Sequence, residues 1–197
     1  MQRHGERGFT LAETITAVAI AGCVLLCSIP AFGTMRRRAA VRAAAAELRG
    51  VFHLVRSRAL ARAGNSAVKF TQVGAVWQYA IYDDGDGDGV RNDDIARGVD
   101  RRVLTARCLW QQPQIVSIAL PDYSIKDPDG EVIAPGASPV RFNRSTLCSF
   151  SRLGQATPGT IYLTDRAGEV YAVRVYGATA KIRVLRYEPG TGKWVAR

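Results

Sequence analysis

Histidine is nearly missing from this chain, and so is every pattern that would make it a zinc or nucleophile site. The two histidines, His4 and His53, stand alone, and none of the four cysteines forms a Cys-x-x-Cys pair. That excludes a zinc-type centre built on imidazole and thiolate. There is no glycine-rich phosphate loop, and no serine, histidine and acid occur together in a context that would activate a nucleophile. The expectation is therefore a protein that is not an enzyme. No internal repeat is present either. Acids are scarce, 17 against 27 lysines and arginines, leaving a formal net charge of +10. Such a surplus favours contact with nucleic acid, anionic lipid or acidic partner surfaces.

The surplus is concentrated in one place. Arg36, Arg37, Arg38, Arg42, Arg49, Arg56, Arg58 and Arg62 face one acid, Glu47, within the same stretch. From Gly64 onward, 17 basic residues are set against 14 acids. The arginine-rich stretch reads as a helix from Thr34 to about Arg62. Val41, Ala45, Leu48, Phe52, Val55 and Ala59 step by four and three to form one apolar face, while Arg42, Arg49 and Arg56 recur every seven residues beside it. The alanine run 43–46 adds helix propensity, and Gly64-Asn65 reads as the C-cap. The arginine face is expected to be solvated and to pair with acids on adjacent subunits, phosphate being the sharper alternative.

Ahead of that helix lies an apolar run, Phe9 to Ile29, with Pro30 behind it. Its 21 residues, at about 1.5 Å each, just cover a hydrocarbon layer of about 30 Å. A short basic leader before such a run also describes a secretory signal. Glu13 argues against that, since a lone acid in the run opposes insertion by about 2.5–3.5 kcal/mol at mid-bilayer, and less near the end, unless it has a partner.

Gly8-Phe9-Thr10-Leu11-Ala12-Glu13 resembles the processing signal of type IV prepilins and type II secretion pseudopilins. That resemblance implies cleavage after Gly8 by a prepilin peptidase and methylation of the new Phe9 amine. It also implies that Glu13 neutralises the terminal amine of a neighbouring subunit during filament assembly. The basic, alanine-rich stem is similar to the helix of the GspH/FimT branch of minor pseudopilins. Phe150, Gly154 and Pro158-Gly159-Thr160-Ile161-Tyr162-Leu163-Thr164-Asp165, with Gly168, resemble that branch's tail. The implied fold is α+β and pilin-like, with a long N-terminal helix packed on an antiparallel β head. The implied organisation is a leader over 1–8, a transmembrane segment over 9–32, an amphipathic stem over 33–63 and a periplasmic head over 64–197. Implied partners are other pilins or pseudopilins, the prepilin peptidase and the inner membrane. Ile20-Ala21-Gly22-Cys23 fits a lipoprotein box as a rival, but leaves Glu13 unexplained. A plain positive-inside count, led by Arg36, Arg37, Arg38 and Arg42, would put the C-terminal flank in the cytoplasm. The strand-rich, cysteine-bearing remainder and the processing signal point outward.

Beyond Gly64 the apolar period changes to two. Strands are expected over 67–73, 76–82, 103–110, 114–120, 140–142, 160–164, 170–176 and 181–187, with hairpin turns at Asp165–Gly168 and Gly177-Ala178. Strands that follow one another without helices imply antiparallel sheets, here two small ones set against the stem. Residues 122–139 read as an irregular loop around at most one short strand. Cys108 and Cys148 are candidates for a bridge in an exported protein.

Two binding motifs remain. Asp84, Asp86, Asp88 and Asn92 stand at calcium-loop spacing, with Gly89 at the turn, although position twelve is Ile95 where a bidentate acid belongs; Asp93 or Asp94 would have to substitute. Calcium is the one cofactor candidate. Lys181 and Arg183 alternate onto one face with Leu185, Arg186 lies on the other, and Arg174 and Lys193 are near enough to widen the patch. Some FimT-like pilins that bind DNA carry Gly-Arg-x-Arg in a C-terminal loop. Ala180-Lys181-x-Arg183 matches it in charge alone, because lysine lacks arginine's bidentate fork.

Overall fold

The computed structural model describes residues 10–109, 115–143 and 145–197, with the side chains of 26–31 left out of the account. The chain divides into two compact units, Met1–Arg37 and Arg38–Arg197. In chain order its elements are α1 (Leu11–Ala61), β1 (Ser66–Val73), β2 (Val76–Asp83), α2 (Asn92–Arg97), β3 (Arg101–Cys108), β4 (Ser117–Ile118), β5 (Ile125–Lys126), β6 (Val132–Ile133), β7 (Val140–Phe142), β8 (Leu147–Phe150), β9 (Gly159–Thr164), β10 (Val170–Val175), β11 (Ile182–Glu188) and β12 (Lys193–Ala196).

The first unit is the early part of α1. Leu11, Ile15, Val18, Ile20, Val24 and Leu25 are all exposed on it. Among the described residues, no helix is long and apolar enough to cross a membrane. Phe9 and the side chains of 26–31, which fall within the expected span, lie outside the described residues.

The second unit is α+β, with the later turns of α1 packed on antiparallel sheets. The apolar face read from the sequence is the buried one: Val41, Ala45, Leu48, Phe52, Val55 and Ala59 are fully enclosed, joined by Ala44 and Val51. Burial of each large side chain contributes about 1.5–3 kcal/mol. The helix ends in a left-handed turn, but at Ala63 (φ +50°) and not at Gly64. Gly64 N–H donates to the Ala59 carbonyl and Ala63 N–H to that of Leu60, a Schellman pattern in which glycine occupies the position after the left-handed one.

Two sheets face the helix. One has the order β3-β2-β1-β8; the other runs β12-β11-β10-β9-β4, with β7 also pairing β9. Every pairing is antiparallel. Their inner faces meet α1 in one core, where Phe70, Phe142 and Phe150 close around Phe52 and Ile161, Val173 and Val184 join the same cluster. The second sheet is also covered on its outer face. There Tyr162, Val170, Ala172, Leu185 and Tyr187 pack against Ile125 and Ile133. The segment 122–139 is thus a two-stranded hairpin, β5–β6, and not an irregular loop with at most one strand. Its fixings are long-range. Tyr162 donates its hydroxyl to Asp127, Arg174 pairs with Asp127 and Asp129, and the Trp194 indole N–H donates to the Lys126 carbonyl.

Most expected strands are present within a residue or two, and the turn at 165–168 joins β9 to β10. Strand β4 keeps only two residues of the expected 114–120, whose first position lies outside the described residues, as does the end of 103–110. Strands β8 and β12 and helix α2 go beyond the elements expected from pattern. Gly159 has a steric reason. A Cβ there would lie 2.2 Å from the Arg141 carbonyl oxygen, where β9 crosses β7, so any side chain would force the two strands apart.

Candidate functional site

The described part of the expected processing signal, Thr10 to Glu13, leads into α1. Gly8 and Phe9, the expected cleavage and methylation residues, lie outside the described residues. Glu13 is described, and it is occupied. Its carboxylate accepts from the Thr10 backbone N–H and hydroxyl, both at 2.9 Å, while Glu13 N–H donates back to the Thr10 hydroxyl at 3.3 Å. This is a capping box, Thr-x-x-Glu, satisfying donors at the first turn that have no partner within the helix. The spacing is visible in the sequence, although the resemblance assigns Glu13 only to a partner on another chain. Both Thr10 bonds fall on Oε2, so a partner can approach Oε1 without displacing Thr10.

The acidic loop follows β2. The Asp84, Asp86 and Asp88 carboxylates lie within 4.8 Å of one another, close enough to share a cation. The acids and loop groups around them have other partners. Asp84 is already filled by the Asp86, Gly87 and Gly89 N–H groups and the Asn65 amide. Burial opposes its ionisation, but these four hydrogen bonds outweigh it and hold the carboxyl below the usual range. Asp88 pairs with Arg91. Asn92 opens α2, and Ile95, at position twelve, packs on the Ala67, Val90 and Leu147 cluster. Of the two acids that would have to substitute, Asp94 is buried and turned to Arg97. The loop's shape instead rests on Asp100, which no sequence motif singles out. Its buried carboxylate accepts from Gly85 N–H at 3.2 Å and Arg91 N–H at 2.9 Å. Gly85 fits because a Cβ there would meet the Val99 carbonyl oxygen at 2.0 Å.

The stem arginines divide into two groups. Arg58 grips Asp83 with two nitrogens, Nε at 2.9 Å and Nη2 at 2.8 Å, and Arg62 adds a third contact at 3.2 Å. Ser66 donates to the same carboxylate at 2.8 Å. At the other end of this helical stretch, Glu169 accepts from both Arg38 and Arg186. Arg42 and Arg49, by contrast, are exposed.

Lys181 and Arg183 are exposed and make no ion pair among the described residues. The wider patch does not form. Arg174 is neutralised by Asp127 and Asp129, and Leu185, expected beside Lys181 and Arg183, is buried under the β5–β6 hairpin. That hairpin, invisible to a period-two reading, caps this face just beyond Arg183. The Arg174 and Arg183 guanidinium groups both lie over the Tyr176 ring, 5.2 and 5.9 Å from its centroid. Ala180, at the position of the motif's glycine, has φ +46°. The left-handed backbone that glycine favours is therefore present without the glycine.

Cys108 and Cys148 are both free. Their strands, β3 and β8, form opposite edges of one sheet with β2 and β1 between them. At about 4.8 Å per strand, that separation is twice what a disulfide tolerates. Cys148 is fully buried, which pushes its thiol well up. Comparison with known proteins returned no match: no family model, no curated protein and no solved structure.

Proposed function

We propose that this chain is a prepilin-type subunit, a minor pilin or pseudopilin of a type IV pilus or type II secretion filament. The N-terminal helix inserts in the inner membrane, the leader is removed after Gly8, Phe9 is methylated, and the mature helix then packs with those of other subunits. The observation that carries this reading is an apolar helix with exposed leucine, isoleucine and valine from Leu11 to Leu25, bearing one acid, Glu13, behind Gly8-Phe9. An uncovered apolar surface of that extent calls for lipid or neighbouring chains. A single carboxylate within it calls for a cation.

Glu13 has two roles to separate, helix cap and charge partner. Glutamine preserves the capping box and removes the charge, whereas alanine removes both. Glu13→Gln and Glu13→Ala are therefore both expected to be processed normally and to enter filaments poorly, read as the mature N-terminus by mass spectrometry and as subunit content of sheared filaments. Normal assembly of Glu13→Gln would defeat the charge-pairing claim. A mature chain beginning anywhere but Phe9, including a lipidated Cys23, would defeat the whole reading.

A second reading rests on Lys181 and Arg183, both exposed, with Arg183 over the Tyr176 ring. This is a subunit that contacts DNA during uptake. Binding through phosphates makes log affinity fall with log salt by about 0.9 per duplex phosphate contacted. The paired Lys181→Ala, Arg183→Ala variant is expected to lower that slope by about two. No binding to duplex DNA at low salt removes this reading.

A further inference from the structure

Beside the buried face of α1, its last turns and β3 enclose a groove of about 370 Å³. Leu54 and Ala61 line it from the helix, Val103 and Leu104 from the strand, with buried Ile81 between them. Leu54 is 58% exposed and Val103 41%, values that leave aliphatic surface open to solvent on both walls. Among the described residues, no acid lines the groove. Its cations are partly uncompensated. Arg58 and Arg62 share the single carboxylate of Asp83. Arg101, Arg102 and Arg107 on β3 are exposed and make no ion pair among the described residues.

Strand β3 is an edge, but an irregular one. Arg101–Cys108 spans eight residues against the six of Gln78–Asp83, with register shifts on either side of Ile81. Bulges and arginines of this kind blunt an edge against simple strand addition. Recognition here is left to side chains, namely aliphatic ones in the groove and acids on its rim.

We propose that this groove docks an acidic segment of another protein, one that seats aliphatic side chains between α1 and β3 and sets carboxylates against Arg101 and Arg102. The chemistry selects the occupant. An apolar slot lined by Arg58 and Arg62, which share one carboxylate, with exposed Arg101 and Arg102 next to Val103 along β3, attracts carboxylates and repels basic surfaces. A second copy of this chain suits it less well, because the acidic loop Asp84–Asp88 alternates its acids with glycine. The inference does not depend on the filament reading, since it uses only residues of the Arg38–Arg197 unit.

The test uses the full chain in nanodiscs of neutral phosphatidylcholine and three labelled peptides, followed by fluorescence anisotropy. The first peptide alternates glutamate with leucine and valine, the second replaces its glutamates with lysine, and the third replaces its aliphatic residues with serine. The first is expected to bind at least about tenfold more tightly than either other. Leu54→Asp and Val103→Asp, both at exposed positions, are each expected to weaken it by about tenfold or more. The paired Arg101→Glu, Arg102→Glu variant is expected to weaken it and flatten its salt dependence. An unchanged thermal melt for Leu54→Asp makes its loss of binding a surface effect. The proposal is overturned if the lysine peptide binds as well as the glutamate one, if the glutamate peptide does not bind, or if its binding survives both aspartate variants. It is equally overturned if the face instead drives self-association that Leu54→Asp abolishes, or binds phosphatidylglycerol vesicles in preference to the peptide.

Discussion

Replacing Phe52 with alanine is expected to destabilise the Arg38–Arg197 unit by about 3–5 kcal/mol, a large share of the roughly 5–15 kcal/mol typical of a whole domain. Phe52 is fully enclosed. Its ring centroid lies 6.1 Å from that of Phe70, 5.9 Å from Phe142 and 6.1 Å from Phe150, the first two edge-on. Those three rings come from β1, β7 and β8, so one helical side chain touches strands of both sheets. Alanine would leave a cavity whose walls are fixed by two hydrogen-bonded sheets and cannot readily collapse, the situation in which truncation costs most. The edge-to-face ring pairs, each worth about 0.5–1.5 kcal/mol beyond burial, disappear with the side chain and push the cost toward the upper end. Leu54→Ala, two residues along the same helix at an exposed position, is the control and is expected to change stability by no more than about 0.5 kcal/mol. Urea unfolding followed by circular dichroism measures both, and equal midpoints for the two variants would contradict the packing described.

Asp83→Asn is expected to cost about 2–3 kcal/mol and to change the response to acid. The Asp83 side chain is only 7% exposed, and four donor groups from Arg58, Arg62 and Ser66 converge on it. Removing one member of a buried pair costs about 3–5 kcal/mol, but Arg58 is a third exposed and recovers part of its hydration, which sets the lower figure. Burial raises the Asp83 pKa, yet the hydrogen bonds from Arg58 and Ser66 and the charges of Arg58 and Arg62 outweigh it, so the folded value is depressed. A depressed carboxyl stabilises the fold above its unfolded pKa of about 3.9, and that contribution disappears as pH falls through the lower folded value. Wild type is therefore expected to lose stability more steeply than Asp83→Asn below about pH 4, so that the gap between them narrows in acid. Parallel pH profiles would exclude Asp83 as the source.

What the sequence makes legible follows from range. The buried face of α1 is written in spacing alone, because helix periodicity and core contact coincide at Val41, Ala45, Leu48, Phe52, Val55 and Ala59. The longer strands are legible for the same reason. Strand β8 is four residues long and β5 and β6 two each, too short to display a period. The β5–β6 hairpin is ordered by partners far along the chain, Tyr162 and Arg174 bonding to Asp127 from 35 and 47 residues away, and no local pattern encodes that. It is also why alternation alone puts Leu185 on a surface that is in fact covered. The candidate sites are legible unevenly. The three aspartates of the acidic loop do come together, whereas Asp100, which shapes the loop, is distant from it in sequence. The cysteine pairing fails on strand order, which spacing cannot supply. The Thr10–Glu13 box is written in a four-residue motif, but the same residues also fall in the stretch that resembles a processing signal, and that resemblance accounts for the glutamate without it.

Glu169 takes Arg38 and Arg186 near one end of the head's helical stretch, and Asp83 takes Arg58 and Arg62 near the other. The stretch is thus riveted twice, once to each sheet, with Phe52 between the rivets. Tension applied along the helix from its N-terminal side would load both fastenings and the aromatic plug together, in shear. Peeling the helix away turn by turn from its N-terminal side would have to break the Arg38 clasp before the core contacts from Val41 onward opened.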